Sequence, residues 1–207
     1  MAYVFINPVT AGMTVEGELG ERLSAHGHTR VTCREDWVQR VRAGYAEFLR
    51  NAGRPVLDTR CPRAAALAAE LPGGGECVAA PVLPILLSCG RELAQREDLA
   101  DGDKIITAPC SFLAGAGNAL GLPRTRFVLA SQFLEEIGYK GAEPLNKSPI
   151  PLGFFDSITD GILCISGEAE IVKAMGNKLP PWVRLVEMLY CPGGCHCGDG
   201  VYNEAKE

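Results

Sequence analysis

The sequence has no excess of basic charge: 20 Lys and Arg stand against 25 Asp and Glu, giving a formal net charge of -5 and a pI near 5.3. A nucleic-acid binder needs a basic face to neutralise phosphates, so nucleic acid is not an expected partner. Long hydrophobic runs are missing too, since the best one, Val82 to Leu87, is broken by Pro84. Met1 to Pro8 holds no basic stretch leading into an apolar one. Together these argue against a secretory signal, a spanning helix or any membrane insertion, and the expected location is the cytoplasm. Internal repeats, low-complexity tracts, charge runs and a Ser/Gly-rich linker are likewise lacking.

What is present points to a folded α/β protein. The 207 residues suffice for one domain or two small lobes, and 47% hydrophobic with 22% charged residues excludes wholesale disorder. The 14 Pro and 24 Gly imply many turns. Short apolar runs alternate with helical patterns. Tyr3 to Ile6 predicts a first buried strand closed by Asn7-Pro8, with a weak helix from Thr14 to Ala25. Asp36 caps a stronger helix with Trp37, Val41, Tyr45, Phe48 and Leu49 on one face, ended by Gly53. Strands are expected at Pro55 to Leu57, Lys104 to Thr107 and Phe127 to Leu129. Helices are expected at Pro62 to Leu71, Pro84 to Arg96 and Gln132 to Ile137, and from a Ser166 cap through Met175. Val183 to Tyr190 forms an apolar approach to Cys191. This alternation predicts mostly parallel sheets flanked by helices. The whole chain, 1–207, is expected to form one domain, with a lobe boundary near 144–151.

Nine cysteines are many for this length, and an odd number cannot all pair within the chain. In a cytosolic setting cysteines serve more often as metal ligands or redox groups than as disulfides. Cys61, Cys110 and Cys191 each follow an apolar run that predicts a strand. The carboxyl ends of parallel strands line a common crevice, so distant residues can converge there. Cys195 follows within Cys191-Pro192-Gly193-Gly194-Cys195, where two glycines let the backbone fold around a bulky inorganic cluster. A helix opening behind Cys61 at Pro62 favours its thiolate. Other readings stand beside this one. Cys33, Cys77, Cys89 and Cys164 are expected to be small buried hydrophobes. Cys195-His196-Cys197 with Cys191 could form a zinc site, although no second ligand pair at short spacing is visible. Gly73-Gly74-Gly75 lacks the Lys-Ser/Thr of a phosphate loop and is expected to be a turn; the glycines of Ala114 to Gly121 miss the dinucleotide spacing. His26 and His28 flank Gly27 in a predicted solvated turn.

These residues resemble the cluster-binding domain of the iron-only (diiron) hydrogenases and their non-hydrogenase relatives. Asp58-Thr59-Arg60-Cys61-Pro62 is similar to the family's first motif, Thr-Ser-Cys-Cys-Pro, and Pro109-Cys110 to the start of its second, Pro-Cys-x-x-Lys. Glu187-Met188-Leu189-Tyr190-Cys191-Pro192-Gly193-Gly194-Cys195 is similar to its third, Glu-x-Met-x-Cys-x-Gly-Gly-Cys, with Leu189 in the methionine position. The resemblance implies a hydrogenase-like fold of two lobes with one 4Fe-4S cluster between them, held by Cys61, Cys110, Cys191 and Cys195. In true hydrogenases the counterpart of Cys195 also bridges to the diiron unit. Here Arg60 stands where the family has a proton-relaying cysteine, Leu113 where a lysine holds a cyanide ligand, and Ala116 where an acidic residue follows. Cys197 and Asp199 alter the glycine-rich tail, the chain reaches Glu207 soon after, and no ferredoxin-like module precedes Met1.

The expectation is therefore an oxygen-sensitive iron-sulfur protein without catalytic residues, acting in electron transfer, redox sensing or assembly with a protein redox partner. The alternative is a small hydrogenase-type enzyme with a diiron unit at Cys195, in which Arg60 anchors an anionic ligand and Cys197 or His196 supplies a thiolate or a proton.

Overall fold

The computed structural model describes residues 1–202; Glu207 lies outside them. In chain order the elements are β1 (Ala2–Phe5), α1 (Pro8–Gly12), α2 (Glu16–Ala25), β2 (His28–Arg30), α3 (Trp37–Asn51), β3 (Val56–Leu57), α4 (Pro62–Ala69), α5 (Pro72–Gly75) and β4 (Val78–Ala79). They continue with α6 (Ile85–Gln95), β5 (Asp103–Ala108), α7 (Ser111–Asn118), β6 (Thr125–Leu129), α8 (Ala130–Glu136), β7 (Ile162–Ser166), α9 (Glu168–Met175) and β8 (Leu185–Leu189).

Local chemistry accounts for most of them. The Asp36 carboxylate accepts the Gln39 N–H at 3.0 Å and starts α3, whose Val41, Tyr45 and Leu49 form its buried stripe. In β5 every residue after Asp103 is buried, and all five residues of β8 are buried, as befits strands covered on both faces.

The strands form two four-stranded, all-parallel sheets, in the orders β2-β1-β5-β6 and β4-β3-β8-β7. The fold is thus α/β, with parallel sheets flanked by helices. The chain divides into two compact units. Unit 1 comprises Met1–Glu35, Leu86–Ile150 and the chain from Cys195 on, and holds the first sheet. Its core gathers Val4, Leu19, Leu23, Ile105, Phe133, Leu134 and Ile137. Unit 2 comprises Asp36–Ile85 and Pro151–Gly194, and holds the second sheet. One of its cores packs α4 and α9 on the sheet through Ala64, Ile165, Ile171, Met175, Val186 and Met188; the other packs α3 through Tyr45, Leu49, Phe155 and Leu185. The chain crosses between units after Glu35, Ile85, Ile150 and Gly194, so neither unit is continuous in sequence.

Strand order locates the crevices. In unit 1 the chain goes from β1 outward to β2 on one side, and from β5 outward to β6 on the other, so the switch point lies between β1 and β5. In unit 2 the crossovers from β3 to β4 and from β7 to β8 run in the same direction, and α4 and α9 pack together on one face, so the central strands β3 and β8 are not divided by such a reversal. Ligands of open parallel sheets bind outside the carboxyl ends of strands at switch points.

One local expectation is extended and three are corrected. Pro8 begins a helix because the Asn7 side chain accepts the N–H groups of Val9 and Thr10. Ser166 ends strand β7 instead of capping a helix; α9 starts after Gly167 at φ +100. His28 lies in β2, stacked 6.3 Å from Phe133, and burial lowers its pKa, so it is not a solvated turn residue. Gly73 to Gly75 form one helical turn closed on α4, where a Cβ on Gly74 would lie 1.8 Å from the Ala68 carbonyl oxygen.

Candidate functional site

Unit 2 brings two motif cysteines to the same end of its sheet. Val56 and Leu57 of β3 pair with Leu185 and Val186 of β8, and the Asp58 N–H extends the ladder to the Val186 carbonyl at 3.0 Å. Cys61 therefore leaves the carboxyl end of β3 and Cys191 the carboxyl end of β8, the two adjacent central strands of the sheet. Cys61 is the N-cap residue of α4, half-buried, with extended backbone (φ -103°, ψ 97°) and no capping bond from its side chain. Its sulfur is thus not consumed by the helix it precedes, while the positive end of the helix lies behind it. The Arg63 guanidinium donates to the Tyr190 hydroxyl at 2.9 Å and stacks 3.7 Å over its ring, tying the first turn of α4 to the residue before Cys191.

The Cys191 turn is held by backbone and by Ser166. The Cys191 carbonyl accepts the Gly194 N–H at 3.1 Å and the Ser166 hydroxyl at 3.2 Å, and Ser166 Oγ in turn accepts the Gly193 N–H at 2.8 Å. Gly193 and Gly194 have φ of +72° and +123°, values that a side chain opposes, so the glycine pair is a geometric requirement of this turn.

Beside Cys61 lies a buried ionic cluster that sequence reasoning missed. The Arg60 guanidinium donates to Asp58 at 2.8 to 3.2 Å and to Glu187 at 2.8 Å, with all three side chains at most 7% exposed. It also stacks 3.9 Å and 4.3 Å from the ring centroids of Phe154 and Phe155. The remaining acceptor capacity is used: Tyr45 donates to Asp58 at 3.1 Å, and the N–H groups of Gly153 and Phe154 donate to Glu187 at 3.1 Å. Burial works against the charge on Arg60, but Asp58 and then Glu187 outweigh it and raise its pKa above the ordinary value. Arg60 is thus not a surface arginine: its Nε and Nη2 donors are committed to Asp58 and Glu187. The one sequence signal was Glu187 itself, a carboxylate inside the apolar run of β8.

Unit 1 holds the other two motif cysteines in one loop cluster. Cys110 follows β5 at the switch point and caps α7, its sulfur accepting the Leu113 N–H at 3.4 Å. Amide donation to sulfur is what a thiolate or metal-bound cysteine accepts at a helix start. The segment after Cys195 docks on this loop. Gly200 N–H reaches the Pro109 carbonyl at 3.1 Å, and the Asp199 carboxylate accepts the Ser111 N–H at 2.8 Å and bonds its hydroxyl. A Cβ on Gly198 would lie 2.2 Å from the Pro109 carbonyl oxygen, so the approach itself depends on glycine. Cys195 opens a short 3-10 turn and packs on the unit 1 core.

The remaining candidates separate. Cys77 and Cys89 are buried as expected, whereas Cys33 is half-buried and Cys164 exposed on β7, its thiol 3.7 Å from Glu187. The expectation of four buried hydrophobes holds for two, because β7 turns Cys164 outward and Cys33 sits beyond the end of edge strand β2. Ala114 to Gly121 lies mostly in α7, where a Cβ on Gly117 would clash with the Phe127 ring, so Gly117 serves packing and the segment is a helix and not a phosphate turn. Cys197 Sγ lies 3.5 Å from His196 Nε2. Among the described residues no group of three or more His, Cys, Asp and Glu side chains is gathered as a metal site, and no helix is long and apolar enough to cross a membrane. Within each unit the thiols are of the type an iron-sulfur cluster takes as ligands, Cys61 and Cys110 at helix starts after central strands and Cys191 in a glycine turn. The sequence matches no protein-family model and no curated protein.

Proposed function

We propose that the protein binds one 4Fe-4S cluster through Cys61, Cys110, Cys191 and Cys195 and acts in electron transfer, redox sensing or assembly with a partner enzyme. The observation that carries this reading is that Cys61, Cys110 and Cys191 each leave the carboxyl end of a central strand, Cys110 at the switch point of unit 1, and that the segment after Cys195 is docked on the Cys110 loop. The cluster supplies a site that takes up and releases one electron. The chain's own residues would hold it: Leu113 N–H turns towards Cys110 sulfur, and the Gly193-Gly194 turn leaves the backbone close to any group bound at Cys191. Four cysteine ligands leave no open coordination position, which favours electron transfer over substrate turnover.

Arg60 weighs against the hydrogenase-type alternative. At the position of the family's proton-relaying cysteine stands a guanidinium that does not deprotonate in proteins and whose Nε and Nη2 donors are committed to Asp58 and Glu187. The reading is tested by electron paramagnetic resonance on anaerobically purified, dithionite-reduced protein. A reduced-cluster signal is expected, lost in Cys61→Ser and Cys191→Ser and kept in Cys77→Ser. Carbonyl and cyanide bands in the infrared spectrum would overturn it in favour of the diiron enzyme.

A further inference from the structure

A second pair of thiols, outside the proposed ligands, lies in unit 1. Residues 32–35 run beyond β2 along one face of α6 and are pinned there on both sides of Cys33. Arg96 donates to the Thr32 carbonyl at 2.8 Å, and Glu92 accepts the Arg34 N–H at 2.6 Å and the Glu35 N–H at 3.4 Å. Cys89, Glu92 and Arg96 lie at spacings of three, four and seven on α6 and its C-terminal end, so they share one face of the helix. Cys89 thereby lies on the α6 face along which Cys33 is held between the two anchors, and it is the first influence on the Cys33 thiol. Cys33 is half-buried and Cys89 is 5% exposed, so solution reagents reach the pair from the Cys33 side.

The position in the topology gives the pair a purpose. The chain leaves unit 1 after Glu35 and returns at Leu86. Cys33 and Cys89 thus flank the base of the whole excursion that builds the first part of unit 2. A bond between them would close that excursion as a loop and remove its end-to-end freedom from the unfolded chain.

We propose that Cys33 and Cys89 form an oxidation site, a dithiol that closes to a disulfide by exchange with a small-molecule disulfide such as oxidised glutathione and staples the base of the inserted segment. In the first step the Cys33 thiolate attacks one sulfur of glutathione disulfide, giving a mixed disulfide and one glutathione thiolate, which takes up a proton. In the second, the Cys89 sulfur, its proton passing to solvent, displaces the remaining glutathione. The sum is two cysteine thiols and one glutathione disulfide giving one Cys33–Cys89 disulfide and two glutathione thiols. Hydrogen bonding to Cys89, and then burial, raises the Cys33 pKa, which makes the first step slow without changing the product.

The test is anaerobic incubation of the purified full chain with oxidised glutathione, then alkylation under denaturing conditions and non-reducing tryptic mass mapping. The expected result is the loss of two alkylatable thiols and a cross-link between peptide 31–34 and peptide 64–91. That link should be abolished by Cys33→Ser and by Cys89→Ser separately, and retained in Cys77→Ser, since peptide 64–91 also contains Cys77. Circular dichroism shows whether each variant is folded; Cys33→Ser, at a half-buried position, carries the test if Cys89→Ser does not fold. Persistent glutathione on Cys33 beside an alkylatable Cys89, a link from Cys33 to another cysteine, or no reaction in protein whose urea-unfolded form does react would each overturn the proposal.

Discussion

Arg60 carries one positive charge between two buried carboxylates, so removing it leaves Asp58 and Glu187 without their counter-charge in a site walled by Phe154 and Phe155. Arg60→Ala is expected to destabilise unit 2 by about 3–5 kcal/mol, measured as a lowered urea midpoint; a loss below about 1 kcal/mol would show that the carboxylates find other partners. Cys77 makes a second prediction at this scale. Burial pushes its thiol from the ordinary 9.0 up to about 11, with Arg54 acting in the opposite sense and Glu76 adding to it. Between those values the unfolded chain has given up a proton that the folded chain keeps, so stability is complete below about pH 9 and falls as pH rises towards about 11. Burial and then Glu187 push Cys164 to about 11 as well, so it adds to the same window. Cys77→Ala should flatten this loss in denaturation series across alkaline pH, and an unchanged slope would place the titration elsewhere.

At the scale of elements, the two glycines inside α7 separate packing from propensity. A Cβ on Gly117 would lie 2.4 to 2.6 Å from Phe127 ring atoms, whereas nothing lies within 4 Å of one on Gly115. Gly117→Ala should cost about 1–3 kcal/mol by overpacking α7 against β6, while Gly115→Ala should gain up to about 1 kcal/mol from helix propensity; thermal melts of the pair check the contrast. The docked tail makes a further prediction. Asp199→Ala removes the carboxylate that accepts the Ser111 N–H at the start of α7, and should cost about 1 kcal/mol and lower iron per chain. How legible an element was depended on whether its cause was local. The α3 helix was legible because Asp36 and the spacing of Val41, Tyr45 and Leu49 are sequence features, and β5 because Ile105-Ile106-Thr107 is a continuous buried run. By contrast β2 is His-Thr-Arg, without an aliphatic residue, and exists because β1 offers it an edge. β7 escaped because Ile162 to Ser166 becomes a strand by pairing along β8, and Ser166 looked like a cap until Cys191 and Gly193 came to it.

Over the whole molecule the same distinction governs the site. The cysteines were legible because thiols in a Cys-Pro-Gly-Gly-Cys turn and after strands carry chemistry in their type and spacing. The Asp58–Arg60–Glu187 cluster was not, because Arg60 meets Glu187 across 127 positions of sequence, through the pairing of β3 with β8. Nor does one boundary describe the interleaved units, since the chain passes between them four times. The proposed ligands fall two to a unit, Cys61 and Cys191 in one and Cys110 and Cys195 in the other. Metal binding would then contribute to the stability of both, and removing iron should lower the melting temperature along with the colour.

The central claim is tested most directly by counting iron, zinc and acid-labile sulfide per chain in anaerobically purified protein. About four irons and four sulfides are expected, the content of one cluster of this type. Zinc alone, or no metal at all in protein that remains folded, would contradict the cluster and leave the two parallel sheets without the function proposed for them.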